Sequence, residues 1–180
     1  YFGKDAKREC RIIIGKDTRR SGYMLEYALA AGVTASGANA YLLHVTTTPS
    51  VSYITRSERF NCGIMISASH NPFYDNGIKL INGYGEKMQQ EVIDLVEAYL
   101  DGTGPEIPRA IQGEIGRTVD YIEGRNRYMG YLISQAVYSL RDLKIGLDCA
   151  NGSAWSIAPG IFNALGADIY VMNNSQIGRA

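Results

Sequence analysis

An α/β fold is what this sequence predicts: a mixed, mainly parallel sheet with helices on both faces, followed by the start of a second α/β domain. Three observations predict it. Short β-branched runs, RIIIG at 11–15, AYLLHV at 40–45 and GIMIS at 63–67, read as buried parallel strands. Segments with apolar residues at helical spacing lie between them, so the order is β-α-β-α-β, which calls for a sheet with helices on both faces. A last strand–helix–strand pattern, from LKIGLDC to DIYVM at 143–172, stands after a Gly- and Pro-rich connection. One such unit with nothing to pack on cannot bury both faces. Residues 1–140 therefore read as one domain and 141–180 as the opening of a truncated second.

The elements follow in chain order. After the first strand, Leu25, Leu29, Gly32, Val33 and Ser36 share one helical face, and Gly37 is placed to end it. The loop TTTPS leads into a second helix over 51–60. After GIMIS comes a polar loop, then the strand NGIKLI, entered through an Asn-Gly turn. A helix over about 86–100 presents Met88, Val92, Leu95, Val96 and Tyr99 on one face. The stretch 101–116 has no period and reads as an irregular connection. A long amphipathic helix is expected over 119–137, and the closing unit places a helix near 154–166 between its two strands.

Composition narrows the function classes. Lys plus Arg and Asp plus Glu both number 18, so no global field favours nucleic acid or an anionic membrane, and an anion site must be built locally. No run approaches the ~20 apolar residues of a membrane-spanning helix. The three cysteines, Cys10, Cys62 and Cys149, are widely spaced and lack a Cys-x-x-Cys pattern, which argues against a disulfide framework or a zinc site and fits a reduced cytoplasm. The thirteen tyrosines, with no basic stripe beside them, serve packing and interfaces. Apolar surface on a truncated second domain would favour self-association, with a homodimer as the simplest product.

The chemistry-bearing segment is SASHNPFYDNGIK at 67–79, which leaves the carboxyl end of a strand, where open α/β sheets place ligands. Ser69 is followed by His70, but no Gly-x-Ser-x-Gly elbow surrounds it, so acyl transfer is disfavoured. Phosphate chemistry fits better. Lys79 and the cluster GKDTRRSG, with Lys16, Arg19 and Arg20, stand at strand ends that share one edge of a parallel sheet. A phosphorylated serine there would carry nearly two negative charges and three acceptor oxygens. On composition alone the serine loop reads more readily as a capped turn than as a catalytic loop, and the basic cluster equally as a solvated loop with surface ion pairs. His44 reads as a strand-end or core histidine. Asp148 and Asn151 stand at a strand end, where turn geometry accounts for them.

The run GIMISASHNPFYDNGIK resembles the phosphoserine loop of the α-D-phosphohexomutases, and its FYDNGIK continuation looks like the phosphoglucosamine mutase branch. Matches at 12–26, 47–56 and 147–159 occur in the family's order. The resemblance implies a four-domain enzyme whose first domain carries a phosphoserine. It would interconvert glucosamine 6-phosphate and glucosamine 1-phosphate through a hexosamine bisphosphate, with magnesium as cofactor. By motif position Ser69 would be the phosphorylated nucleophile and a magnesium ligand. His70 and Lys79 would assist as general acid and base, and Arg19 would hold charge near the phosphoserine.

Three departures from the family pattern stand out. The family's opening, Tyr-Phe-Gly-Thr-Asp-Gly-Ile-Arg-Gly and a helix, is replaced after Gly3 by KDAKREC, which leaves its arginine without a counterpart and implies residues missing between Gly3 and Lys4. The Asp-Gly-Asp-x-Asp-Arg magnesium loop is absent, as are the later sugar-recognition and phosphate-binding loops. The chain alone is therefore expected to be inactive. Sugar choice also stays open to a phosphoglucomutase or phosphomannomutase. A non-catalytic phosphosugar-binding module that reuses the loop is the rival from a different class.

Overall fold

The computed structural model describes residues 1–2, 9–107 and 109–175; the junction after Gly3 lies outside them. Strand β1 (Arg11–Lys16), helix α1 (Ser21–Ala35), β2 (Asn39–Val45), α2 (Thr48–Ser57) and β3 (Cys62–Ile66) alternate as the sequence predicts. They are followed by β4 (Ile78–Asn82), α3 (Gln90–Leu100), a 3-10 turn at Gln112–Glu114, β5 (Thr118–Asp120) and α4 (Ile122–Ser134). Strand β6 (Lys144–Asp148), α5 (Ala158–Ala164) and β7 (Asp168–Met172) complete the described elements.

The main sheet has the order β4-β3-β1-β2-β5, with β1 in its centre. All neighbours are parallel except β4, which runs antiparallel to β3 on the edge. Because side chains alternate along a strand, the apolar runs feed two cores. On one face Ile14, Leu42, Ile64 and Ile66 pack with Ala30 of α1 and with Met88 and Val92. On the other Ile13, Leu43 and Met65 pack with Val51 and Ile54 of α2 and Tyr128 of α4. Each such fully buried aliphatic side chain contributes about 1.5–3 kcal/mol relative to exposure. Helix α2 lies directly on the strands: a Cβ on Gly63 would stand 2.3 Å from Thr55 Oγ1, and one on Gly15 2.6 Å from Val51 Cγ2.

The second sheet, β6 paired parallel with β7, is joined to the first through its helix. Ile157 and Ile161 extend the core that holds Tyr128 and Met129. A Cβ on Gly160 would stand 2.9 Å from Met129 Cε, so α5 sits close against α4. Tyr170 and Met172 on β7 are exposed.

Four elements differ from the sequence expectation. Instead of one helix over 119–137, Thr118–Asp120 forms β5 and the helix begins at Ile122. The open edge of β2 recruits this segment, since Ala40 N–H donates to Arg117 O (2.9 Å) and Tyr121 N–H to Leu42 O (2.8 Å). Local periodicity carries no information about such an edge. Helix α3 starts at Gln90 because residues 86–88 fold back on β4: Asn82 N–H donates to Glu86 O and Met88 N–H to Leu80 O. Of its expected face, Leu95, Val96 and Tyr99 are exposed. Helix α2 begins at Thr48, with Pro49 in its first turn, where a missing N–H costs nothing. The last helix, α5, is confined to Ala158–Ala164. Glu26 on α1, outside the expected apolar face, is fully buried because β1 ends in a buried lysine.

Candidate active site

The loops after β1 and β3 leave the same edge of the sheet, and the structure brings them together. The loop between β3 and β4 is closed at its base, where Ser67 N–H donates to Gly77 O at 2.8 Å. A Cβ on Gly77 would stand 2.7 Å from Ser67 O, so glycine is required by close backbone approach rather than by a positive φ. Gly77→Ala is expected to prise this base apart and cost about 1–3 kcal/mol as an overpacked contact. Urea unfolding of the variant checks it; an unchanged midpoint would show that the backbone yields without penalty.

Within the loop, Asn71 N–H donates to Ala68 O (3.2 Å) and Asp75 N–H to Pro72 O (3.0 Å). Ser69 has φ +58°, in the left-handed region. A serine held there costs on the order of 1–3 kcal/mol unless its surroundings over-determine it. Ser67 supplies one restraint, its Oγ accepting the Ser69 N–H at 3.0 Å.

Arg19 supplies the other. Its Nη2 donates to Ser69 O (3.1 Å) and Asn71 O (2.9 Å), and its Nη1 to Asp75 O (3.1 Å) and to Pro72 O. Its Nε donates to Asp17 Oδ2 at 2.9 Å, while Asp17 Oδ1 accepts the Arg19 N–H at 3.0 Å. Guanidinium has five N–H donors, and all five are engaged here. Arg19 and Asp17 are buried, and the α1 end of the cluster is tied to the loop by a Ser21 Oγ to Asn76 Oδ1 contact.

The other predicted residues stand as follows. Ser69 and His70 are exposed, with Ser69 Oγ 3.4 Å from His70 Nδ1. Among the described residues no acidic group orients that imidazole, so a Ser-His-acid relay is not assembled. Lys79 lies on β4 opposite Met65, exposed and without a bonded partner among the described residues. Of the basic cluster, Lys16 is buried against Glu26, its ammonium also 3.7 Å from the Tyr23 ring centroid, and Arg19 is committed to the loop. Only Arg20 of the three is exposed.

His44, at φ +57° where the β1–β2 register shifts, places Nδ1 3.3 Å from Glu26 Oε2 and Nε2 3.4 Å from Asp120 Oδ1. Asp148 serves a turn, as the sequence reading allows. Asn173 Nδ2 and then the Ala150 N–H donate to it and hold its carboxyl below the ordinary carboxylate range. Burial pushes the Cys62 thiol up to about 12, away from thiolate chemistry. Among the described residues no group of three or more His, Cys, Asp or Glu side chains is arranged to hold a metal ion, so they do not by themselves assemble a magnesium site.

Sequence reasoning missed Ser67, Asp17 and Gly77. Ser67 and Asp17 each stand two residues before the group they hold, a spacing suited to side-chain-to-backbone turns. The left-handed φ of Ser69 has no sequence signal, because serine has no preference for that region.

Comparison with known proteins follows the same lines. The chain is 64% identical over 179 residues to a phosphoglucosamine mutase of Lachnospira eligens and 62% identical over 178 residues to that of Lachnoclostridium phytofermentans. Each match covers 99% of this chain but only 40% and 39% of the relative, so the chain spans about 40% of the length of these curated relatives. A crystal structure of a phosphoglucomutase/phosphomannomutase family protein from Burkholderia thailandensis superposes with TM-score 0.75 at 23% identity, over 92% of this chain and 36% of that one. Residues 1–105 match the profile of the phosphoglucomutase/phosphomannomutase alpha/beta/alpha domain I. With that match and these relatives, the chain belongs to the phosphoglucomutase/phosphomannomutase family.

Proposed function

We propose that this chain is the phosphoryl-carrying part of a phosphoglucosamine mutase, with residues 1–140 as its phosphoserine domain and 141–180 opening the next. The observation that carries the reading is an exposed Ser69 on a loop whose backbone is fixed by buried groups, within a chain 64% identical to a protein of that name. A nucleophile that gives and takes a phosphoryl group must be open to substrate yet held in one geometry.

In the proposed cycle the bond between Ser69 Oγ and phosphorus breaks while a sugar hydroxyl bonds to the same phosphorus. The hydroxyl's proton passes to a base and the departing Ser69 Oγ takes one from an acid, roles for which Lys79 and His70 are the candidates. The hexosamine bisphosphate so formed turns over and returns its other phosphoryl group to Ser69. Glucosamine 6-phosphate and glucosamine 1-phosphate are thereby interconverted. Ser69, through its phosphate, would give magnesium one ligand, and the others must come from outside the described residues. The substrate clamp is likewise assigned to later parts of the protein, so the chain alone should lack turnover.

The test is phosphate mapping. After the full-length protein is incubated with hexosamine bisphosphate and magnesium, peptide mass spectrometry should find one phosphate, on Ser69. Turnover accompanied by an unmodified Ser69 peptide would sink the proposal. The family profile names phosphoglucomutase and phosphomannomutase, which supports a second reading for sugar choice. A preference for glucosamine phosphates over glucose and mannose phosphates by at least tenfold in kcat/KM is the expected result.

A further inference from the structure

The deepest feature of the serine loop is the way Ser69 is gripped from both sides. Its N–H is held by Ser67 Oγ at 3.0 Å and its C=O by Arg19 Nη2 at 3.1 Å, and between these two bonds the residue adopts φ +58°. Ser67 is itself buried at the end of β3, and its N–H closes the loop base on Gly77. Arg19 cannot swing away, because Asp17 takes both its Nε and its backbone N–H, and three further loop carbonyls occupy its remaining donors. Arg19 is thus anchored beside the end of the central strand β1 and outside the loop it restrains, while Ser67 stands at that loop's buried base, directly after β3.

We infer that Ser67, Arg19 and Asp17 are positioning residues that lock Ser69 in the left-handed conformation and aim its Oγ out of the loop. This rests on the phosphocarrier reading for its catalytic consequence, but the lock itself is a property of the loop. Arg19 acts here through geometry and not through its charge alone, since every N–H is directed at an oxygen of the protein. A lysine would keep the charge with three donors on a point ammonium, which cannot span Asp17 and four carbonyls. Misplacing a reacting atom by about 1 Å can cost about a hundredfold in rate.

The experiment uses the full-length protein and three variants, Arg19→Lys, Ser67→Ala and Ser67→Thr. Steady-state kinetics are measured together with hydrogen exchange of the peptides that cover 67–79. Arg19→Lys should lower kcat by about a hundredfold with KM little changed, and should speed exchange in the loop about tenfold while leaving peptides of β1 and α1 as they were. Ser67→Ala should do the same more weakly, by about tenfold in kcat, as one lost hydrogen bond does. Ser67→Thr, which keeps the hydroxyl, should restore kcat to within about threefold.

Arg19→Lys with wild-type kcat and unchanged loop exchange would overturn the inference. So would equal losses in Ser67→Ala and Ser67→Thr, which would mean that the hydroxyl is not what matters. If Arg19→Lys does not fold, the Ser67 pair decides alone. Failure of the phosphocarrier reading is seen separately, as turnover without phosphate on Ser69, and leaves the exchange result standing as the measure of the lock.

Discussion

Ser69→Ala in the full-length protein should lose at least about a thousandfold in kcat on glucosamine phosphates, with binding of substrate and thermal stability unchanged. The expectation follows from the site. Ser69 Oγ is exposed, and the hydroxyl makes no buried bond that the fold depends on; its one close side-chain neighbour is His70 at 3.4 Å. The loop's backbone bonds to Ser67, Arg19 and Gly77 do not involve the Ser69 hydroxyl and should survive the substitution. A loss confined to turnover therefore separates a phosphoryl carrier from a residue that merely shapes the loop. It also separates a mutase from a non-catalytic phosphosugar-binding module, in which the same variant would keep both affinity and function. Coupled kinetics beside a thermal melt make the measurement, and a variant within tenfold of wild-type turnover would refute the carrier role.

The largest effect on stability should come from Glu26. Lys16 and Glu26 form an ion pair with both side chains fully buried, and Glu26 also faces His44. Glu26→Gln leaves the Lys16 ammonium in the interior without its counter-charge, and breaking a buried pair in this way costs about 3–5 kcal/mol. Removing both charges together is a different matter. Lys16→Met with Glu26→Leu fills the same space with apolar groups, and such replacements are often neutral or stabilising. A methionine at 16 also keeps a favourable contact with the Tyr23 ring that the ammonium now covers. In urea unfolding followed by circular dichroism, the single variant should fall far below the double. If the single variant unfolds at the wild-type midpoint, the pair is not a desolvated one.

That pair bears on the site as well as on the fold. Lys16 is the last residue of β1, and Asp17 and Arg19 follow it directly, with Asp17 N–H donating to Ile66 O at 2.9 Å. The end of the central strand is thus pinned on one side by a buried salt bridge and on the other by β3. A clamp built on it is as rigid as the sheet.

Much of the architecture was legible from local pattern alone. The runs at Ile12–Ile14, Leu42–Leu43 and Ile64–Ile66 are apolar at successive positions, which only a strand covered on both faces requires, and that is where the two cores meet. The motif from Ser67 to Lys79, and its place at a strand end, likewise needed no coordinates. Other features depend on partners distant in the chain. Thr118–Asp120 became a strand because β2 had an open edge, a fact that no window around Val119 contains. Glu26 left the solvent because Lys16, ten residues earlier, needed a counter-charge in the interior.

For the site, the sequence by itself singled out the candidate residues, since Ser69, His70 and Lys79 sit together in one recognisable segment. What Arg19 bonds to was decided by the tertiary structure. A basic residue beside a serine loop suggests a phosphate ligand, and only the fold shows its five donors ending on Asp17 and on the carbonyls of residues 69, 71, 72 and 75. The physical reason is that composition counts charges, whereas a hydrogen bond requires a direction and a distance that exist only once the chain has folded.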